Sequence, residues 1–418
     1  MSGKIVATLS TFLMLLFVVL FWAVDGWREK PPIRVGILHS LTGTMAFSEK
    51  AVVDTVQMAI DELNANGGVL GRTILPVVAD AKSDWPTSAR EAERLITEEK
   101  VSVIFGCWTS ACRKTVKPVI EKYNHLLIYP VQYEGLETSP NIIYTGAAPN
   151  QQIIPAVDWS FKQLGKRFFL VGSDYVFPRT ANAIIKDRLQ ILGGELVGES
   201  YVLLGDTHLQ KVAAEIARTA PDVVLNTING DSNIALFEEL QRLNVTAKTV
   251  PVISFSIGES ELQSMPQQMT AGHYAAWNYF QSIQSPENQS FVQRFRDKYG
   301  SNRVINDPME AGYFGVMLWA QAVAEIETDA VNEVNAAIKN QLTRAPEGPV
   351  FINARTRHSW KTVRIGRIRP DGQFDIVWNS DRPVRPVPYP KTRTVQEWEQ
   401  FLLGLYNGWG QQWANSGK

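Results

Sequence analysis

The sequence predicts a two-lobed α/β protein: two doubly wound parallel-sheet lobes joined by a hinge, with an apolar helix ahead of them. Three observations predict it. Strand-like and helix-like runs alternate along most of the 418 residues, the pattern of a parallel sheet covered by helices on both faces. The alternation runs once to about Asn150 and then restarts. The chain is also too long for one compact core, which makes two domains the default.

Taken in order, residues 5–24 (IVATLSTFLMLLFVVLFWAV) carry no charge. Such a run of about 20 apolar residues suits a helix that crosses a bilayer, whereas a signal-peptide core is usually about 7–15. The run ends in Val24-Asp25-Gly26, a poor cleavage site, so an uncleaved signal anchor is favoured over a cleaved signal within residues 1–30. IRVGILHSL (33–41) then reads as a strand, and AVVDTVQMAIDELNAN (51–66) as a helix with Val52, Val56, Ala59, Ile60 and Leu63 on one face, closed by Gly67-Gly68. TILPVVAD (73–80) is a strand and 87–100 a helix opened by Thr87 or Ser88. VSVIFG (101–106), a helix over 109–123 and the strand HLLIYP (125–130) follow.

The second round has helices over 154–165, 179–194, 207–220 and 231–243, and strands over 167–173, 195–204, 222–228 and 249–256. A helical stretch covers 288–326. A short β segment ends in VRIGRIRPDGQFDIVW (363–378) with an Asp371-Gly372 turn. We assign 33–150 and 277–345 to the first lobe, 151–276 and 346–378 to the second, and 379–418 to a tail that wraps the body.

Composition narrows the function. With 45% hydrophobic and 20% charged residues the chain is an ordinary globular one. Its 41 Lys+Arg against 42 Asp+Glu leave a net charge of -1, which argues against a nucleic-acid binder. The five histidines (39, 125, 208, 273, 358) have no metal spacing, and the C-x4-C pair Cys107/Cys112 matches no zinc pattern. A disulfide between residues five apart on one helix would be strained, so both cysteines read as free thiols. No phosphate loop and no nucleophile elbow is present. Neither a metal nor a cofactor is expected, and the chain reads as a non-enzyme.

In open parallel sheets, ligands bind outside the carboxyl ends of the strands. The strand-end loops are His39–Thr44, Gly106–Ser110, Tyr129–Tyr133, Gly172–Phe177 and Asn229–Asn233. They are rich in hydroxyls, amides and rings and poor in charge, which suits a small neutral polar ligand. The candidates are Trp108, Ser110, Tyr129, Tyr175, Phe177, Asp231 and Thr42. Each has a plainer alternative. Trp108 and Tyr129 could be packing, and Ser110 and Asp231 could cap the helices beside them.

The set ILHSLTGTM, NANGGVLGR, FGCWTSACRK, YPVQYEGLE, SPNIIYTGAAPNQ, GSDYVFPRTAN, NGDSN, AAWNYFQS and DPMEAGYFG closely resembles the type I periplasmic binding proteins that serve urea and short-chain amide ABC importers. The likeness runs from about Ile33 to near Trp413. It implies a clamshell that closes on one small amide. Trp108, Ser110 and Tyr129 would come from the first lobe, with Tyr175 and Phe177 from the second. A cytoplasmic amide-sensing regulator of the same superfamily is similar but has Tyr and Thr at the positions of Trp108 and Val131, so acetamide-like specificity is not implied. The NGDSN loop follows the urea-type pattern. Asp231 could accept the additional N–H groups that distinguish urea from acetamide. The resemblance implies a periplasmic location and ABC permease subunits as partners. A tether in the inner membrane is read from the apolar run 5–24 instead, and departs from the family, whose members are often lipid-anchored or freely soluble. The alternative is a ligand-sensing receptor, for an amide or an amino acid, that signals through a membrane partner.

Overall fold

The computed structural model describes residues 30–417. The predicted membrane helix lies outside these residues, and among the described ones no helix is long and apolar enough to cross a membrane. The first sheet has the order β2-β1-β3-β4-β5 and is entirely parallel. Its strands are β1 (Ile33–His39), β2 (Ile74–Asp80), β3 (Ile104–Gly106), β4 (Leu127–Tyr129) and β5 (Ile142–Tyr144). The helices between them are α1 (Ala46–Ala65), α2 (Trp85–Thr97) and α3 (Ser110–Lys122). Val52, Val56, Ala59 and Ile60 of α1 are buried, as their spacing predicts. Helix α2 starts earlier than expected. Asp84, not Thr87, is its cap and accepts from the Thr87 N–H at 2.8 Å, with Pro86 in the first turn.

After α4 (Ile153–Gln163), the second lobe comprises β6 (Arg167–Ser173), α5 (Val176–Leu192), β7 (Glu195–Val202), α6 (Gln210–Thr219), β8 (Val223–Thr227), α7 (Ser232–Arg242), β9 (Val252–Ser254), the short α8 (Glu259–Leu262) and α9 (Gln267–Thr270), and β10 (Tyr274–Trp277). Strands β10-β9-β8-β6-β7 are parallel. The chain then returns to the first lobe. The predicted helical stretch 288–326 is two helices, α10 (Pro286–Tyr299) and α11 (Asp307–Ile326), interrupted at Gly300, whose φ of 114° ends the first. Ser285 and Asn306 cap them.

A short helix α12 (Val331–Ala337) leads into a small sheet of β11 (Leu342–Ala345), β12 (Gly348–Ile352) and β13 (Ser359–Trp360). Its Ala345, Val350 and Ile352 join the core formed by the first sheet. The lobe boundary expected at residue 346 is therefore moved. Only from β14 (Arg364–Ile368) does the chain rejoin the second sheet, as an antiparallel hairpin with β15 (Phe374–Asn379) around Gly372. The second sheet has a core on each face. The tail adds α13 (Val395–Gly408), whose Trp398 is fully buried against α5 residues.

Candidate interlobe ligand site

The carboxyl ends of both parallel sheets face one another. Between them lies a narrow cleft, with about 160 Å³ of space between atoms and no room for a free water molecule, lined by Trp108, Ser110, Val131 and Gln132 from the first lobe and Tyr175, Phe177 and Asn229 from the second. Each lining residue follows a strand: β3, β4, β6 or β8. Four of the seven predicted site residues, Trp108, Ser110, Tyr175 and Phe177, are brought together here.

The backbone explains the first wall. Gly106 has φ of 150°, and a Cβ there would lie 2.1 Å from the Leu38 carbonyl oxygen. Glycine alone lets β3 run this close to β1 before the chain turns to Trp108. Thr109 then caps α3, accepting from the Cys112 N–H at 3.1 Å. The cap is thus not Ser110, whose hydroxyl is free for other work. The two cysteines are also not free thiols: Cys107 and Cys112 form a disulfide, with Cα atoms 6.4 Å apart. The objection to it assumed that both lie on one helix. Cys107 precedes the helix, in the turn that carries Trp108.

Beneath this wall lies a buried ion network that the sequence reading missed. Arg113, fully buried, donates from Nη1 to Ser110 Oγ (3.0 Å), from Nη2 to Glu134 (2.9 Å) and from Nε to Glu137 (2.9 Å). Ser110 in turn donates to Glu134. Lys114 (3.3 Å) and the Tyr144 hydroxyl (2.9 Å) complete the shell of Glu137. Burial pulls the Arg113 pKa down, but the carboxylates of Glu137 and Glu134 outweigh it and hold the guanidinium charged. Burial likewise pushes Glu137 up, and Arg113 and Lys114 overcome it, so this carboxyl stays well below the usual range. The two positive and two negative charges balance within the network.

Tyr129 sits behind the cavity, not in it. Its hydroxyl donates to the Trp108 carbonyl and its ring lies under Arg113, 4.9 Å from ring centroid to guanidinium. Thr42 is exposed and donates to Asp80 of the same lobe at 2.8 Å. Asp231 departs from both expectations. Its side chain does not cap α7 and does not line the cavity. It accepts from the Thr44 hydroxyl of the other lobe at 2.8 Å, which makes it a latch between lobes. The residue of this loop that lines the cavity is Asn229. Asn226 and Asn233 bond one another and the loop backbone, and the Asn229 N–H donates to Ser173 Oγ at 3.1 Å.

Gln132 lies within the predicted strand-end loop Tyr129–Tyr133 but is not among the predicted candidates; its amide, at the third position past β4, is the available signal. Its Nε2 donates across the cleft to the Phe255 carbonyl at 2.8 Å, and its Oε1 has no partner. Trp108 Nε1 is also buried without a partner. Such groups cost about 1–3 kcal/mol each when left unpaired.

Two parallel-sheet lobes with one cavity at their facing strand ends match a known domain family. Residues 33–395 match the periplasmic binding protein domain. The chain belongs to that family. This binding protein is 37% identical over 385 residues to Leu/Ile/Val-binding protein homolog 7 of Brucella suis, covering 86% of this chain and 94% of the relative. It also superposes on the solute-binding protein of an R. palustris ABC transporter in complex with benzoate, with TM-score 0.77 and 21% identity over 85% of this chain and 98% of the other. The branched-chain amino acid transporter substrate-binding protein of Streptococcus pneumoniae in complex with isoleucine gives TM-score 0.74 at 19% identity, covering 85% of this chain and all of the other. A 124-residue segment is 35% identical to a limonene hydroxylase of Geobacillus stearothermophilus, but the chain spans only 23% of that relative's length. As a member of the periplasmic binding protein family the chain is an extracytoplasmic binding protein and not an enzyme.

Proposed function

We propose that the interlobe cavity captures urea or a short-chain amide and that the protein delivers it to an ABC permease, tethered to the inner membrane by the apolar run at 5–24. The observation that carries this reading is the pair of unpartnered groups at the cavity, one donor and one acceptor: Trp108 Nε1–H and Gln132 Oε1. Ser110 adds a second acceptor. Its proton is committed to Glu134 and one lone pair to Arg113, so it can only accept from a ligand. The Tyr175 hydroxyl, which also lines the cavity, can donate or accept, and this mix of donors and acceptors complements a carbonyl that carries N–H groups.

A carboxylate ligand, such as the benzoate and isoleucine bound by the structural neighbours, fits this inventory poorly. It needs several donors or a cation at the cavity, and the buried Arg113 does not line it but bonds Ser110, Glu134 and Glu137 beneath. Titration calorimetry with urea, acetamide, formamide, benzoate and isoleucine tests the reading. Urea or an amide should bind and the two acids should not. Binding of an acid alone would overturn it.

A further inference from the structure

The chain end lies against the wall of the cavity. Leaving β15, the tail first touches the first lobe: the Pro388 carbonyl accepts from the Leu136 N–H at 2.8 Å. It then docks on the second lobe, where Arg393 grips Asp187 with two bonds of 2.8 and 2.7 Å and α13 buries Trp398. After α13, residues 413–415 pair with the segment that carries Tyr175. The Val176 N–H donates to the Trp413 carbonyl and the Asn415 N–H to the Asp174 carbonyl, both at 3.0 Å. Ala414 forms an antiparallel bridge with Tyr175. The Asn415 side chain adds a 2.7 Å bond to Asp174. On its other side the Trp413 ring faces the first lobe, 4.8 Å from the Lys114 ammonium. Lys114 is itself a member of the network beneath Ser110, through Glu137.

We infer that Trp413 and Asn415 are positioning residues for the ligand site: they fix the Asp174–Val176 backbone that presents Tyr175, and through the Trp413–Lys114 contact they clasp the two lobes shut. The contacts divide the labour. The backbone pairing and Asn415 join tail to second lobe, and move with it as one piece. The Trp413–Lys114 contact spans the cleft, so it must break when the lobes part. A cation over an indole face is a modest, reversible attraction, which suits a clasp that yields in each binding cycle. The inference rests on the interlobe cavity being the ligand site, not on which ligand fills it.

The test uses purified full-length protein and two readouts. Small-angle scattering without ligand reads lobe closure directly, and stopped-flow measurement with urea or acetamide reads dissociation. Trp413→Ala should shift the ligand-free protein to a larger radius of gyration and speed dissociation by about tenfold, with the far-ultraviolet circular dichroism unchanged. Trp413→Phe, which keeps an aromatic face, should recover most of both effects. Lys114→Gln removes the other side of the contact and leaves the pairing of Ala414 with Tyr175 in place. It should open the lobes as Trp413→Ala does, and it stands in if the tryptophan variant is unfolded. If both variants scatter as the wild type does, the clasp is wrong. If the wild type binds neither urea nor acetamide, the amide reading fails, while the scattering still decides the clasp.

Discussion

At the scale of single residues, Gln132 is held by one end. Its amide nitrogen is bound to the Phe255 carbonyl of the opposite lobe, so closure itself turns Oε1 into the free acceptor. Gln132→Leu should remove that acceptor and the cross-lobe bond together. We expect urea affinity to fall by roughly 1–3 kcal/mol, or about 5- to 150-fold, by calorimetry. Trp108→Phe keeps the ring and loses only Nε1–H. It should weaken urea and acetamide alike, because both present one carbonyl to that donor. Retention of full affinity in Trp108→Phe would remove the indole from the site. Asp231 makes a contrasting case. Since it bonds Thr44 across the cleft, Asp231→Ala should weaken the two ligands equally. A double-mutant cycle with Thr44→Val should show coupling, whereas a selective loss of urea would return Asp231 to the ligand.

At the scale of elements, the first lobe's wall depends on α3. One helix supplies Ser110 to the cavity and Arg113 and Lys114 to the network beneath it, three and four residues apart in sequence and hence on one face. The loop after β4 returns Glu134 and Glu137 to meet them. A buried ion pair loses far more when one partner goes than it contributes as a whole. Arg113→Met should therefore destabilise by about 3–5 kcal/mol, leaving Glu134 and Glu137 buried beside Lys114 alone. The replacement of both charges, Arg113→Met with Glu134→Gln, should recover part of the loss in a urea-free denaturation series.

At the scale of the whole molecule, the hinge is a second place where charges are buried. Asn278 donates to the Gln151 and Thr362 carbonyls at 3.1 Å each, tying the three segments by which the chain passes between lobes. Asp307 accepts from the backbone of Asn278 and Tyr279 (2.9 and 2.8 Å), and Lys361 lies 3.5 Å from Glu347 and 3.9 Å from Asp307. Burial pushes Glu259 up to about 8 and Glu347 to about 7. Glu259 Oε2 has no partner, which fits a protonated carboxyl. The folded state thus keeps protons that the unfolded chain, with carboxyls near 4.3, has released. Stability is then lost as pH rises from about 5 towards 8. Burial depresses His273 to about 4 and His358 to about 3. These groups act oppositely, but only below the ordinary histidine pKa of about 6.5. Between pH 6.5 and 8 the carboxyls act alone, each contributing a slope of at most about 1.4 kcal/mol per pH unit. Thermal denaturation should show the wild-type midpoint falling over this window and a shallower fall in Glu259→Gln. An unchanged slope in that variant would show that Glu259 is ionised when folded.

Much of this protein was legible without coordinates. The alternation of runs, the glycines closing helices and the restart near Asn150 reflect local periodicity and turn chemistry, which neighbouring residues settle among themselves. They sufficed for two parallel-sheet lobes and for the loops at their strand ends, and so for Trp108, Ser110, Tyr175 and Phe177. What the tertiary structure alone decided was the partner of each polar side chain. Asp231 finds Thr44 at a separation of 187 residues, and Gln132 finds Phe255 at 123. Cys107 reaches Cys112 because the chain turns just before α3. A buried polar group takes whichever partner the packing of distant segments brings within about 3 Å, and no local pattern encodes that distance.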